Sequence, residues 1–194
     1  MGYLPINGYG LIGNMRSAAL VGRNGSIDWL CLPVFDSPSV FAAVLDDTRG
    51  GRLETVPEGE GCHTKQYYIP DTNVLVTRME MGDACTEVID FMPVSTASHD
   101  RNLPDLIRIV RTEHEPVRVR LSCRPAFDYA RAAHTVEKTP WGAVFKSGVG
   151  SVAIASTVEL DLAAGEARAR LDLAGGKAEV VALTFKAHQD AGDR

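Results

Sequence analysis

Apolar residues alternate with polar ones along most of this chain, in runs too short for helices and closed off by Gly, Pro, Asn or Asp. TNVLVTRMEM (72–81) and ACTEVIDFMP (84–93) flank Gly82-Asp83 and predict a hairpin. In the second run Cys85, Glu87, Ile89 and Phe91 share one side, and Thr86, Val88 and Asp90 the other. A polar connection, STASHDRNLP, leads to DLIRIVRTEH (105–114) and VRVRLSCRP (117–125). Glu115-Pro116 divides these two, which predicts a second hairpin. Leu106 and Arg108 share one face of the first, with Ile107, Ile109 and Arg111 opposite; Val117, Val119 and Leu121 oppose Arg118, Arg120 and Ser122 in the second. WGAVFKSG, SVAIASTVEL, EARARLDLAGG and KAEVVALTFKAH are four more candidate strands, punctuated by Gly148, Gly165 and Gly175-Gly176. EARARLDL is rich in alanine, but Gly165 and Gly175 leave too little room for a stable helix. The helical pattern is confined to SPSVFAAVLDD, with Ser37 as cap, Pro38 at the first position and Val40, Phe41 and Val44 as an apolar stripe. Period-two alternation without intervening helices excludes parallel βαβ units and predicts an all-β, antiparallel β-sandwich with one short helix, in one domain over 1–194.

The N-terminal stretch NGYGLIGNMRSAALVGRNGSIDWLCLP contains a literal G-x-G-x-x-G at Gly8, Gly10 and Gly13, with Asp28 where a dinucleotide fold keeps its ribose-binding acid. The context is wrong for a phosphate cradle. Pro5 spoils the strand that must precede the glycines. Asn24-Gly25, set between SAALV and SIDWLCL, favours a type I′ hairpin turn over a strand–helix–strand unit.

A net charge of −5 and a pI near 5.5, with Lys and Arg scattered among acids, predict no nucleic-acid partner. No run approaches a membrane span and no secretory leader is evident, so no membrane partner is expected and the expected location is the cytoplasm. The sequon Asn24-Gly25-Ser26 then carries no glycan. Cys31, Cys62, Cys85 and Cys123 lie far apart; Cys31 and Cys85 sit among apolar residues and read as buried free thiols. Cys62-His63 has no second ligand pair beside it, so neither a metal site nor any other cofactor is expected.

For catalysis, His63, His99, His114, His134 and His188 are candidate bases, but none accompanies a nucleophile elbow. Asp28, Asp36, Asp46 and Asp71 are candidate carboxylates of a glycosidic pair, although Asp36 and Asp71 adjoin turn signals. The densest polar and aromatic stretch runs from Gly22 to Asp36 and holds Arg23, Asn24, Asp28, Trp29 and Phe35. Aromatic rings beside carboxylates and an arginine suit a sugar-facing surface; core or interface aromatics suit the pattern as well.

That stretch, extended as YLPINGYGLIGNMRSAALVGRNGSIDWLCLPVFDSPSVFAAVLDDTRGGRL and followed by YYIPDTNVLVTRMEMGDACTEVIDFMPV, closely resembles the start of bacterial glycoside hydrolases of the glucoamylase and trehalase family. The likeness runs in order from Gly2 to about Val94 and is less distinctive from Asp105 onward. Two positions depart from the family pattern: Val34 stands where members often carry a basic residue, and Asn24 where they often carry Asp. The resemblance implies an N-terminal supersandwich-like β-domain that precedes an (α/α) barrel, in which two glutamates hydrolyse α-linked glucosides with inversion. It implies that this chain corresponds to the sandwich alone, with HQDAGDR near the passage to the barrel and no catalytic residue within it.

Under the resemblance GYGLIG becomes the strand and turn before the first hairpin. Arg23, Asp28, Trp29, Phe35, Asp36 and Ser37 become interdomain contacts first and substrate-proximal residues second. The implied partners are the chain's own C-terminal barrel, a second copy of the chain in a homo-oligomer, and an α-glucoside near the interface. The alternative is an independent carbohydrate-binding module, for which Tyr67, Tyr68, Trp141 and Phe145 would have to line up. Tyr67 and Tyr68 are adjacent, so in a strand they point to opposite faces.

Overall fold

The computed structural model describes residues 3–94, 103–113 and 115–187. Among the described residues sixteen strands form two antiparallel eight-stranded sheets. The first holds β1 (Tyr9–Gly13), β2 (Ala18–Gly22), β3 (Ser26–Cys31), β5 (Arg52–Pro57), β10 (Val117–Arg124), β15 (Glu166–Leu173) and β14 (Asp161–Ala163) in that spatial order, with β4 (Ser39–Ala42) also paired to β3. The second runs β11 (His134–Thr139), β12 (Gly142–Ser147), β13 (Gly150–Ser156), β16 (Ala178–Lys186), β9 (Leu106–Thr112), β8 (Ala84–Phe91), β7 (Leu75–Met81) and β6 (His63–Tyr68). The inner faces share one apolar core, to which Val119, Leu121, Leu171, Leu106, Val110 and Phe145 all belong.

The alternation in VRVRLSCR and EARARLDL is realised as expected, apolar side chains inward and arginines outward. The expected hairpin between 105–114 and 117–125 is not formed. β9 pairs with β8 and β16 in one sheet, and β10 pairs with β5 and β15 in the other, so Glu115-Pro116 carries the chain from sheet to sheet.

β9 also packs by the face that sequence makes the less apolar one. Leu106, Arg108 and Val110 point into the core, and Ile107 and Ile109 are half-buried outside. Arg108 is fully buried because the core supplies all it needs. Its Nε and Nη2 donate to Asp90 Oδ1 and Oδ2 at 2.7 and 2.9 Å, and Nη1 donates to Gly25 O at 2.9 Å and Thr55 Oγ1 at 3.0 Å. A bidentate ion pair with its remaining protons bonded is the arrangement that tolerates burial. It ties β8 and β9 of one sheet to β5 and the β2–β3 turn of the other.

That turn differs in type from the expected one. Gly25 N–H donates to Gly22 O at 2.9 Å, and the positive φ falls on Gly25 at 82°, not on Asn24. The loop is a turn over Arg23-Asn24 followed by a left-handed glycine, a three-residue connection. Only glycine fits there, since a Cβ would lie 2.1 Å from Thr55 O. Asn24 Oδ1 accepts the Ser26 hydroxyl at 2.7 Å and braces the loop.

The expected helix at SPSVFAAVLDD is a strand instead. Val40, Phe41, Ala42 and Ala43 are all buried. A surface helix buries one stripe; four consecutive buried residues need the two-sided burial of a strand inside the sandwich. The short helical pieces are a 3-10 turn at Ile6–Gly8 and a single turn at Phe127–Ala130.

The registers sort the connections to two ends. One end collects the turns around Met15, Phe35, Asp71, Tyr129, Val149 and Ala164, together with the end of β16. Asn73 Nδ2 bonded to Gly13 O and His134 Nε2 lying 2.9 Å from Gly165 O stitch the two sheets together there, and Ser17 Oγ bonded to Cys31 O ties the β1–β2 turn to β3 within the first sheet. The other end carries Arg23 to Gly25, Gly82-Asp83, Trp141 and Gly175-Gly176.

Candidate functional site

GYGLIG is the first 3-10 turn and β1, paired in antiparallel register with β2 from Tyr9↔Gly22 to Gly13↔Ala18. No helix follows the glycines. Gly10 is small because Leu75 of the facing sheet approaches: a Cβ would meet Leu75 Cδ2 at 2.5 Å.

The six residues singled out in sequence do not converge on one point. Arg23 is exposed at its own end of the sandwich, where Nη2 donates to Asn7 O at 2.9 Å. Phe35, Asp36 and Ser37 lie at the opposite end, beyond a six-residue strand that spans roughly 17–20 Å. There the tip is a tight turn: Ser37 N–H donates to Val34 O and Ser37 Oγ accepts from Val34 N–H, both at 3.1 Å. Ser37 thus closes a turn and caps no helix. Phe35, at 60 % exposure, and the exposed Asp36 project from it.

Asp28 is buried, not sugar-facing. Its Oδ2 accepts the Tyr9 hydroxyl at 2.9 Å, and its Oδ1 lies 3.4 Å from Arg52 Nε without a hydrogen bond of its own. Arg52 also pairs with Asp47. Burial and the neighbouring Asp28 carboxylate push the Tyr9 phenol well above its ordinary range. The trio braces β1, β3 and β5 from outside the core.

Trp29, next along β3, is half-buried, and its partner is a residue the sequence did not flag. The Tyr129 ring lies 6.2 Å from it at 43°, and the Arg131 guanidinium sits 5.4 Å above the Tyr129 centroid while bonding Asp128 at 2.6 Å. Tyr129 N–H donates to the buried Ser39 hydroxyl at 3.1 Å. The turn holding Tyr129 is left-handed: Asp128, Tyr129 and Ala130 have φ of 51°, 56° and 63°. Such a conformation costs about 1–2 kcal/mol per non-glycine residue. The buried Phe127 and the bonds Ala130 N to Ala126 O and Ala132 N to Phe127 O hold it in place. No periodicity marks such a turn; the adjacency of Asp, Tyr and Arg in FDYAR is the signal available.

Asp46 caps its own turn through the Thr48 and Arg49 amides, and Asp71 sits at φ 59° after Pro70, so Asp28, Asp46 and Asp71 stand in separate local settings. On the outer face of the first sheet a groove of about 370 Å³ is lined by Arg52, Glu54, Ser122, Arg124 and Glu166. Burial raises the Glu166 pKa, but the Arg168 and Ser122 bonds outweigh it and hold the carboxyl below its usual range, which does not suit a proton donor near neutrality. His134 packs between Phe127 and Phe145; His99, His114 and His188 lie outside the described residues.

Cys31, Cys85 and Cys123 are buried free thiols and Cys62 is exposed. Among the described residues no group of three or more His, Cys, Asp or Glu side chains is placed to hold a metal ion, and no helix is long and apolar enough to cross a membrane. The aromatics of a binding row are dispersed. Phe145 is in the core, Tyr67 bonds Glu87 on the outer face, and Tyr68 bonds the Leu11 backbone across the sheet edge.

The two sheets make the chain an all-β antiparallel sandwich, entered through GYGLIG and the GRNGSIDW hairpin. The chain belongs to the trehalase-like N-terminal domain family, whose profile matches residues 3–189. Among individual proteins it is similar to the trehalase of Thermoplasma volcanium, 37% identical over 161 residues that cover 82% of this chain and 26% of that protein. It is also similar to the trehalase of Mycolicibacterium smegmatis, 29% identical over 95% of this chain and 31% of that protein. Trehalase 1 of Sulfolobus acidocaldarius is 38% identical over 62% of the chain. The chain spans about a quarter to a third of the length of the curated relatives just described that match most of it.

Proposed function

We propose that this chain is the non-catalytic accessory sandwich of an α-glucoside hydrolase of trehalase or glucoamylase type, packed on a C-terminal (α/α) barrel whose active-site mouth it helps to shape. The barrel supplies the general acid and base and cleaves trehalose or a related α-glucoside with inversion. Phe35, Asp36 and Ser37 are the contact turn, Trp29 supports it, Asp28 braces the strand beneath, and Arg23, at the opposite end, braces the Asn7 backbone within the sandwich.

The observation that carries this reading is the exposed Phe35 on a turn pinned by Ser37, beside the strained turn that holds Tyr129 against Trp29. Strained backbone persists where the surroundings over-determine it, commonly at a functional surface. An exposed ring of this kind is stabilised by a partner that covers it. The relatives, named trehalases, have room for such a partner in the same polypeptide.

The test is glucose release from trehalose and maltotriose. The polypeptide carrying the downstream region turns over and residues 1–194 alone release none. Turnover by residues 1–194 alone refutes the reading.

A further inference from the structure

Which surface meets the remainder of the polypeptide is a separate matter from whether one does. Resting on the accessory-domain reading above, we propose that the docking surface is the end of the sandwich that carries Phe35, and that its occupant is the part of the same polypeptide that follows β16.

The largest group of exposed apolar side chains among the described residues lies there. Met15 is 86 % exposed, Phe35 60 %, Val94 54 %, Leu103 and Val149 41 % each, and Tyr129 40 %. These six come from five different connections, yet the strand registers bring all of them to one end. The opposite end presents Ile6 and Trp141, while Tyr3, Leu11, Leu45 and Tyr67 are exposed elsewhere. The broad outer faces are of another kind, laddered with ion pairs: Arg118–Asp172 and Arg168–Glu166 on one sheet, Arg78–Glu80 and Arg111–Glu87 on the other. Paired charges of that sort belong to solvated faces.

Backbone strain is concentrated at the same end. Among the described residues every non-glycine with positive φ lies in one of its turns: Met15, Asp71, Asp128, Tyr129, Ala130 and Ala164. The course of the chain then names the occupant. Lys186 of β16 pairs with Ser151, beside the Val149 turn, so Ala187 lies on this end and the following polypeptide starts out beside the patch. The size is adequate too. Eight strands about 4.8 Å apart, in two sheets about 10 Å apart plus side chains, give an end of roughly 700–800 Å². A standard interface buries about 800 Å² per partner.

The test is hydroxyl-radical footprinting of the intact polypeptide, each rate normalised to the intrinsic reactivity of the residue type. Met15, Phe35 and Tyr129 are expected to react several-fold more slowly than their exposure in the sandwich dictates, with Ile6 and Trp141 reacting at full rate. In the same polypeptide Met15→Ser with Phe35→Ser splits one melting transition into two, and Ile6→Ser with Trp141→Ser does not. Protection at Ile6 and Trp141 instead overturns this inference and leaves the accessory-domain reading standing. Full reactivity at both ends overturns both. Protection at the Phe35 end that is lost on dilution to a monomer, followed by light scattering, assigns the surface to a second copy and overturns the inference as well.

Discussion

Replacing Asp90 by Asn keeps the shape of the side chain and removes the charge facing Arg108. Both groups are fully buried, and the guanidinium makes two bonds to Asp90 and two to Gly25 O and Thr55 Oγ1. The substitution leaves a buried cation without its counter-charge, a loss of about 3–5 kcal/mol. Arg108→Met strands the carboxylate instead and costs a similar ~3–5 kcal/mol. Removing both charges together, as Asp90→Leu with Arg108→Met, leaves no isolated ion. Gly25 O still accepts from Thr55 N–H at 3.0 Å, so the main orphan is the Thr55 hydroxyl, worth about 1–2 kcal/mol. The double variant is therefore expected to be more stable than either single one. Urea unfolding, read by far-UV circular dichroism and by tryptophan fluorescence, measures all three against the parent chain. If either single substitution costs less than about 1 kcal/mol, or the double cost equals the sum of the singles, the ion pair does not hold the sheets together as argued.

Tyr9→Phe removes the hydroxyl donor to buried Asp28 and is expected to cost about 1.5–3 kcal/mol in the same assay, the range for a hydrogen bond to a charged group. Gly25→Ala places a Cβ 2.1 Å from Thr55 O at a φ of 82° and is expected to destabilise by at least about 1–3 kcal/mol, read as a fall in melting temperature. Ala130→Gly relieves one left-handed residue of the Tyr129 turn and is expected to stabilise by up to about 1–2 kcal/mol; no gain there would mean that the turn is not strained. Asp105 has its pKa raised by burial, against the opposing Phe185 N–H bond and the Arg16 charge. Its folded form therefore holds its proton to higher pH than the unfolded form, so stability falls as pH rises through that window and the deficit is complete at neutrality. Asp105→Asn is expected to raise the melting temperature at pH 7, with the gain vanishing in acid where the parent carboxyl is protonated.

Most of the strand pattern was legible in the alternation, because a half-buried antiparallel strand writes its burial into every second residue. VRVRLSCRP and EARARLDLAGG form strands over Val117–Arg124 and Glu166–Leu173, within one to three residues of the expected runs. What alternation omits is the partner. Glu115-Pro116 carries the same turn chemistry whether the chain folds back on itself or steps to the other sheet, and here β9 is already flanked by β8 and β16. VFAA is silent for a different reason: a run buried on every side has no period, and its pairing with β3 decides strand over helix. The candidate site was half legible. Phe35 and Trp29 stand out as aromatics between prolines and acids, but Tyr129 reaches Trp29 only through a left-handed turn that no propensity favours.

β9 shows how that gap and the function are connected. Read alone, LIRIVRT offers two faces, and the one with Ile107 and Ile109 is the more apolar. The chain buries the other because Asp90, one strand away, faces Arg108 across the ladder in register. The pair then reaches Gly25 in the opposite sheet. A cation held at its core in this way fixes how the sheets sit on one another. The relative placing of Met15, Phe35, Val94 and Tyr129, which come from both sheets, depends on that alignment. A surface assembled from several turns keeps its shape only if the sheets beneath cannot slide. Asp90→Asn should therefore loosen the Phe35 end, as faster backbone exchange in its turns, before it unfolds the chain.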